Sequence, residues 1–204
     1  MIQKEKNATD LVILNLSDLL NKGNAHVSLD EALDGVAFDL LGKKIAGLPY
    51  TIWQLADHIR IAQWDILEFS RNAKYISPEW PDGYWPSEIK PTSNKEWENC
   101  IHQIRADRAS FIELLSTAED IYKPFNYGNG QSLLKEALVL ADHNSYHTGQ
   151  IIILRRMLYD WTNEDKSLRK KILNSLAQRK NIKRLFQKAI RVNSFAYFFY
   201  FIVC

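Results

Sequence analysis

Two histidines, His143 and His147, stand four positions apart in a segment whose apolar residues have helical spacing. Residues four apart lie one turn apart on the same face of an α-helix, so both imidazoles can face one object. A third histidine, His58, lies among apolar neighbours in a second helical segment. Inward-facing imidazoles are costly to bury without partners, and a divalent metal suits neutral imidazole well. The pattern predicts a three-ligand metal site formed by His58, His143 and His147.

The predicted site leaves room for further ligands. Three imidazoles leave a Zn²⁺, Ni²⁺ or Fe²⁺ ion with positions open to water or substrate, as in catalytic rather than structural sites. Asn144 follows His143, so the pair lacks the glutamate of the H-E-x-x-H metalloprotease motif. Asp65, two turns beyond His58, is a weak candidate for a catalytic acid or base. The alternative interpretation is that His143 and His147 are hydrogen-bonded core histidines without a metal.

The helices that must position these residues are well marked in the sequence. Residues 28–31, 51–54 and 93–96 each fit the capping box, in which two side chains satisfy each other's free backbone amides. Long amphipathic helices are predicted over about residues 9–21, 52–71, 94–117 and 133–161. A proline-rich loop separates the second from the third. The predicted fold is all-α, a four-helix bundle with a long crossover between helices 2 and 3.

Composition and charge limit the domain organisation and the partners. Residues 1–162 carry a net charge of −6 and are predicted to form the bundle domain, whereas residues 163–204 carry +8. An acidic body argues against nucleic acid as a partner. Two cysteines, no apolar signal core and no membrane-spanning apolar run predict a cytoplasmic protein.

Four segments together resemble the DinB superfamily of small bacterial metal-binding bundles. They are GNAHVSLDEA at residues 23–32, WQLADHIR at 53–60, IAQWDILEF at 61–69 and DHNSYHTGQI at 142–151. The resemblance covers about residues 8–161. It implies a bundle with a crossover after its second helix and a divalent metal held by His58, His143 and His147. Characterised relatives include transferases and isomerases that use bacillithiol, mycothiol or glutathione, so the reaction class is a family-level analogy.

These observations predict a metal-dependent enzyme that acts on a small molecule. The expected reaction is a thiol-dependent transfer, with a low-molecular-weight thiol as cosubstrate, or a hydrolysis, because an open metal position can activate a thiol or water. Asp142 and Tyr146 are weak candidates for orienting the imidazoles. The alternative is a non-catalytic metal-binding or dimerising bundle module of a stress response. A homodimer is compatible with either interpretation.

Residues 163–204 have a different character from the bundle. A basic stretch precedes the aromatic run at residues 195–201. This extension could be a membrane-surface anchor, because basic charge beside aromatic residues favours anionic lipid surfaces. It could also be a helix that packs on the bundle or on a second subunit, or an accidental extension without a selected role. We favour the last interpretation, since the charge balance changes where the family resemblance ends, and we expect the extension to be peripheral and dispensable.

Several other residues are predicted to have structural rather than catalytic roles. The aromatic loop at residues 80–86 is predicted to be a hydrophobic plug over the end of the bundle, with a ligand lid as the alternative. Arg155 and Arg156 are predicted to be solvated charges near a helix C-terminus. Cys100 is predicted to be a small buried apolar residue, and His102 a surface residue. His26 is a minor candidate for contact with the site.

Overall fold

Helices dominate the architecture. The computed structural model describes the backbone of residues 7–200 and the side chains of residues 7–181, 183 and 184. Within that range the helices are α1 (Ala8–Lys22), α2 (Leu29–Leu33), α3 (Ile52–Arg71), α4 (Asn94–Thr117), α5 (Leu133–Met157) and α6 (Asn163–Tyr200). Short 3₁₀ turns lie at Phe38–Leu40 and Asp82–Tyr84, and an isolated antiparallel bridge joins Pro124 to Ser132. The predicted all-α class is therefore confirmed for the described residues.

Capping explains why α3 and α4 begin where the sequence predicts. At the start of α3 the Thr51 hydroxyl accepts the Gln54 amide, and the Gln54 side chain accepts the Thr51 amide. Only half of the predicted box forms at α4, where the Ser93 hydroxyl accepts the amide of Glu96. The Glu96 carboxylate instead accepts both the amide and the hydroxyl of Thr92, because that residue offers two donors to one acceptor. One correctly placed hydroxyl is thus enough to fix a helix start.

The end of α5 differs from the prediction by four residues. The helix ends at Met157 rather than at residue 161, and Tyr159 adopts a left-handed backbone with φ of 54°. Glycine or asparagine normally marks such a helix end, so a tyrosine there gives no sequence signal. Immediately afterwards Thr162 and Asp165 exchange hydrogen bonds through their side chains and amides, which starts α6. This capping box was not predicted from the sequence.

The four longest helices of residues 7–157 pack around a common core. Helix α3 contacts both α4 and α5, while α1 contacts α4 and α5, and α2 contacts α5. A hydrophobic cluster draws on all four long helices and on one loop residue; its buried members are Leu16, Leu20, Ile66, Leu67, Phe111, Leu115, Ile121, Leu133, Ala137 and Leu140. Burying such side chains stabilises each by roughly 1.5–3 kcal/mol relative to exposure. This core fixes α3 and α5 side by side.

Arg155 contradicts its predicted role as a solvated charge. Its side chain is only 2% exposed, and Nη1 donates to the backbone oxygens of Ala32 and Asp34, each at 2.8 Å. These carbonyls lie at the end of α2, where helical partners run out. Arg155 therefore ties the end of α2 to α5. Its neighbour Arg156 is exposed, as predicted.

The chain divides into two compact units between Met157 and Leu158. In the second unit α6 forms one continuous helix, and Arg169 pairs with Asp160 at 3.6 Å. No helix within residues 7–200 combines the length and apolar character needed to cross a bilayer. The membrane-surface interpretation depends on the side chains of residues 195–201, which lie outside the described residues. The predicted division at residue 162 and the dispensability of the extension remain predictions.

Candidate metal centre

The three histidines singled out by the sequence lie together at the α3–α5 interface. His58 projects from α3, and His143 and His147 project from successive turns of α5. One ligand nitrogen from each residue lies within 4.8 Å of the other two. His58 and His147 are 3% and 7% exposed, and His143 is half-buried. The three residues are thus close enough to hold one metal ion.

Backbone and amide oxygens fix which imidazole nitrogens face inward. The Nδ1–H of His58 donates to the carbonyl oxygen of Tyr84 at 2.8 Å, and a carbonyl can only accept. In the neutral ring this leaves a lone pair on Nε2. Nδ1 of His147 lies 2.6 Å from Oε1 of Gln150, so its Nε2 is free to present a lone pair as well. An oxygen acceptor on the outer nitrogen is the usual support for a metal-binding histidine.

The inward-facing Nε2 atoms lie close together although they carry lone pairs, which repel one another. Nε2 of His58 lies 3.0 Å from Nε2 of His143 and 3.1 Å from Nε2 of His147. Because Nε2 of His58 has a single lone pair, it can accept a hydrogen bond from one neighbour but not from both. A cation between the rings would relieve both contacts. In a tetrahedral site with metal–nitrogen distances of about 2.05 Å, nitrogen ligands lie roughly 3.3 Å apart, which is close to the observed spacing.

Burial keeps all three imidazoles in the neutral form that binds metal. Desolvation lowers the pKa of His143 to about 4, with further lowering from the nearby His147 and His58. Desolvation also lowers the pKa of His58 and of His147, partly opposed by their bonds to the Tyr84 carbonyl and the Gln150 side chain. A neutral imidazole can bind a metal ion without first losing a proton. The site is therefore suited to metal binding at neutral pH.

A buried amide pair holds α3, α4 and α5 in register beside the histidines. Gln63, which is fully buried, donates through Nε2 to the Ile104 oxygen at 2.5 Å. Its Oε1 accepts from Nδ2 of Asn144 at 3.1 Å, and Oδ1 of Asn144 lies 3.5 Å from Nδ1 of His143. Satisfied buried networks specify one arrangement of the packed elements. Gln63 and Asn144 therefore hold α5 against α3 and α4 at the turn that carries His143.

The aromatic loop between α3 and α4 lies directly against the histidines. The Trp85 ring stacks on His58 with centroids 4.0 Å apart and planes 3° apart, and the Tyr50 ring stacks on Trp85 at 6.2 Å. Trp80 remains 72% exposed and contacts Tyr84 edge-on at 5.3 Å. Trp80 and Trp85 both line the cavity at the histidines, so this loop forms a wall of the site. The predicted hydrophobic plug over the end of the bundle did not include this role.

A cavity of about 440 Å³ opens onto the three imidazoles. Its lining combines aromatic, aliphatic and acidic side chains: His58, Ala62, Asp65, Ile66, Trp80, Tyr84, Trp85, Glu136, Val139, His143 and His147. That size suits a small molecule. One end of such a molecule would reach the imidazole nitrogens while its remainder lies against aromatic rings and two carboxylates.

The other candidates from the sequence fall into two groups. Asp65 lies in the cavity, where it accepts the Tyr84 hydroxyl at 2.7 Å, so it remains a candidate for contact with a substrate. Asp142 and Tyr146 are exposed, although the Tyr146 ring meets His147 edge-on at 5.0 Å. The outer nitrogens of His58 and His147 are held instead by the Tyr84 carbonyl and Gln150. Spacing within α5 could have indicated Gln150, one turn after His147, whereas nothing in the sequence marks a loop carbonyl.

The remaining predicted residues lie outside the histidine cluster. His26 donates from Nδ1 to the Val27 oxygen at 2.7 Å and accepts the Ser145 hydroxyl through Nε2 at 2.8 Å. It thus ties the loop after α1 to α5 without joining the ligand set. His102 is exposed, as predicted. Cys100 is 4% exposed, and burial raises the pKa of its thiol to about 12, which agrees with its interpretation as a small buried residue.

Removal of the Gln150 acceptor is expected to weaken metal binding without abolishing it. In Gln150→Ala, Nδ1 of His147 loses its oxygen partner and the ring loses its fixed orientation, so affinity for Zn²⁺ should fall by about 10- to 100-fold. Competition with a chromophoric chelator measures this change. Gln150→Glu, which keeps an oxygen acceptor, should retain most of the affinity, and Asp142→Ala should bind like the wild type. Equal affinity in the Gln150→Ala and Asp142→Ala proteins would contradict this role of Gln150.

Comparison of the chain with protein-family models, curated proteins and solved structures found no match.

Proposed function

We propose that this chain is a DinB-like four-helix bundle that binds one divalent metal and uses it to transform a small molecule. In this proposal α1, α3, α4 and α5 are the bundle helices, and residues 72–93 are the long crossover between the second and third. The metal ligands are His58, His143 and His147. The reaction is a thiol-dependent transfer or, as the second possibility within the same chemistry, a hydrolysis.

One observation carries the proposal, namely the convergence of three Nε2 atoms at the floor of a cavity. Nitrogens 3.0 and 3.1 Å apart, with the outer nitrogen of His58 held as a donor, form a set that suits a cation. A fully coordinated structural zinc site would need a fourth protein ligand. Among the described residues, the candidate ligand group contains the three histidines alone. This ligand count favours a site with a position for an exchangeable ligand.

The chain's own residues would bind and shield the reactants. A divalent metal in this site would supply a Lewis acid that lowers the pKa of a bound thiol or water. Trp85 covers one face of His58 and excludes water from it. Ile66 and Val139 provide apolar surface in the cavity for the body of a substrate. The carboxylate of Asp65, held by the Tyr84 hydroxyl, is placed to orient a polar group or to move a proton.

Cobalt-substituted protein tests the proposal. Addition of a small thiol such as 2-mercaptoethanol should produce a thiolate-to-cobalt absorption band and shift the visible cobalt spectrum. The same protein should then accelerate transfer of the thiol to an electrophilic acceptor. If thiols leave the spectrum unchanged while ester substrates are hydrolysed, the hydrolase is the correct alternative. If no thiol or substrate changes the spectrum and no turnover occurs, the chain is a non-catalytic metal-binding module.

A further inference from the structure

The cavity beside the histidines is acidic. Two carboxylates line it, those of Asp65 on α3 and Glu136 on α5, and its described lining includes neither lysine nor arginine. Neither carboxylate belongs to the group of possible metal-ligand atoms formed by the histidines. Buried carboxylates in proteins are normally paired with a cation or with hydrogen-bond donors. Even with a divalent metal at the histidines, a thiolate bound to that metal would leave the two carboxylates in excess by one negative charge, which a positive group on the ligand would offset.

Of the two carboxylates, Glu136 has the fewer protein partners. It is only 8% exposed although it lies in the first turns of α5, and no described residue donates a hydrogen bond to its carboxylate or forms an ion pair with it. Burial raises the pKa of this group and the nearby negative charge of Asp65 raises it further, whereas the positive charge of Lys135 partly opposes both. A leucine or glutamine would be easier to bury at this position. The protein thus holds an energetically unfavourable carboxylate against the cavity.

Asp65 adds a second negative charge beside the cavity. One of its oxygens accepts the Tyr84 hydroxyl at 2.7 Å. The Tyr75 hydroxyl, which is buried, interacts with the same carboxylate, and burial together with this interaction raises the pKa of Tyr75. Asp65 therefore contributes charge to the cavity, whereas Glu136 contributes a carboxylate without a donor among the described residues.

Aromatic rings complete this environment. Trp80, Tyr84 and Trp85 line the same cavity, and the rings of Trp80 and Tyr84 meet edge-on at 5.3 Å. Aromatic faces attract cations, and cages of aromatic rings with carboxylates are a general means of binding ammonium groups. The cavity combines both features with a position for a metal-binding atom at the histidines.

We infer that the cavity selects a small molecule bearing an ammonium group, which pairs with Glu136 near the negative charge of Asp65 and beside the rings of Trp80 and Tyr84. A second atom of the same molecule, a thiol sulfur or another metal-binding donor, reaches the histidines. The second part of this inference rests on the proposed function, whereas the recognition of the ammonium group does not. The substrate class is thus an aminothiol or another cationic molecule with a donor atom, rather than a neutral or anionic one.

Metal-free protein tests recognition of the cation by itself. Choline and its neutral isostere 3,3-dimethylbutan-1-ol differ in charge but hardly in shape. Calorimetric titration should show that choline binds at least about tenfold more tightly, a difference of about 1.4 kcal/mol, and that this preference declines as salt increases. Indole signals of Trp80 and Trp85 should shift in the NMR spectrum when choline binds. Equal affinity for the two compounds, or binding of neither, overturns the inference.

The Glu136→Gln variant tests whether Glu136 causes the preference for choline over its neutral isostere. It should reduce the preference for choline severalfold while raising the melting temperature at pH 7. The sign follows from linkage: a carboxyl whose pKa is raised by folding destabilises the folded state once the pH is high enough to ionise it. Glu113→Gln, on an exposed part of α4, is the matched control and should change neither quantity. An unchanged preference, or a lower melting temperature in Glu136→Gln, would show that this carboxylate has a structural role instead.

Cobalt-loaded protein separates this inference from the proposed function. Cysteamine and 2-mercaptoethanol share a thiol and differ in one ammonium group. Tighter binding of cysteamine, lost in Glu136→Gln, supports both proposals. Equal binding of the two thiols leaves the metal and thiol chemistry intact and overturns the ammonium selectivity. If neither thiol perturbs cobalt but metal-free protein still prefers choline, the ammonium site stands and the thiol-dependent function fails.

Discussion

Replacement of His147 with alanine is expected to remove nearly all tightly bound metal from the protein. His147 supplies one of three convergent nitrogens, and its Nδ1 is already held by Gln150. Loss of a ligand should cost more than the 10- to 100-fold typical of a lost supporting residue, so affinity for Zn²⁺ should fall by more than about 100-fold. Elemental analysis after gel filtration measures this as a fall from about one equivalent to near none. His58→Ala and His143→Ala should behave similarly.

The matched control is His102→Ala, which removes an exposed histidine from α4. It should retain the metal content of the wild type, because His102 lies outside the ligand cluster. This comparison also addresses the alternative that the histidines are ordinary core residues. Under that alternative, unchanged metal content would be expected in all three ligand variants, and only stability would fall. Such a result would rule out metal binding by this cluster.

Arg155→Ala is expected to have the largest effect on stability of any single substitution considered for this chain. The change leaves the carbonyl oxygens of Ala32 and Asp34 without the donor that Nη1 provides at 2.8 Å. The Ala32 carbonyl is buried, so its loss of a donor costs about 1–3 kcal/mol, and removal of the buried Arg155 side chain also removes its packing; the free energy of unfolding should therefore fall by about 2–5 kcal/mol. Urea denaturation followed by the helical circular dichroism signal measures the change.

Arg156→Ala provides the control on the adjacent position. Its side chain is exposed, so its removal should alter the free energy of unfolding by less than about 0.5 kcal/mol. Arg155→Lys should fall between the two, because an ammonium group lacks the planar fork of donors. Similar stability in the Arg155→Ala and Arg156→Ala proteins would show that the hydrogen bonds to α2 contribute little.

Helix positions were predictable where a local rule decides them. The starts of α3 and α4 follow from Thr51 and Ser93, whose hydroxyls accept amides three residues later. The end of α5 was predicted wrongly because Tyr159 takes a left-handed conformation usually adopted by glycine. Arg155 was assigned to solvent because its partners lie more than one hundred residues earlier in the chain. Partners so distant in sequence depend on tertiary packing, which helical periodicity does not specify.

In the metal site, too, local spacing was predictable and tertiary packing was not. Proximity of His143 and His147 follows from helical spacing, and the inward face of His58 follows from its apolar neighbours. Their mutual approach depends on how α3 and α5 pack, which Gln63 and Asn144 help to define. The roles of the Tyr84 carbonyl and of Glu136 were not predicted. A carbonyl has no side-chain signature, and a glutamate in the first turn of a helix usually indicates a favourable interaction with the helix dipole rather than a buried charge.

X-ray absorption spectroscopy of the zinc- or cobalt-loaded protein measures directly whether three imidazoles from α3 and α5 hold one divalent metal with room for an exchangeable ligand. We predict one metal per chain, with three imidazole nitrogens at about 2.0–2.1 Å and the remaining positions filled by light atoms from solvent. Added thiol should then introduce one sulfur at about 2.3 Å. A metal bound without imidazole, or an unchanged spectrum in His147→Ala, would contradict metal binding by His58, His143 and His147.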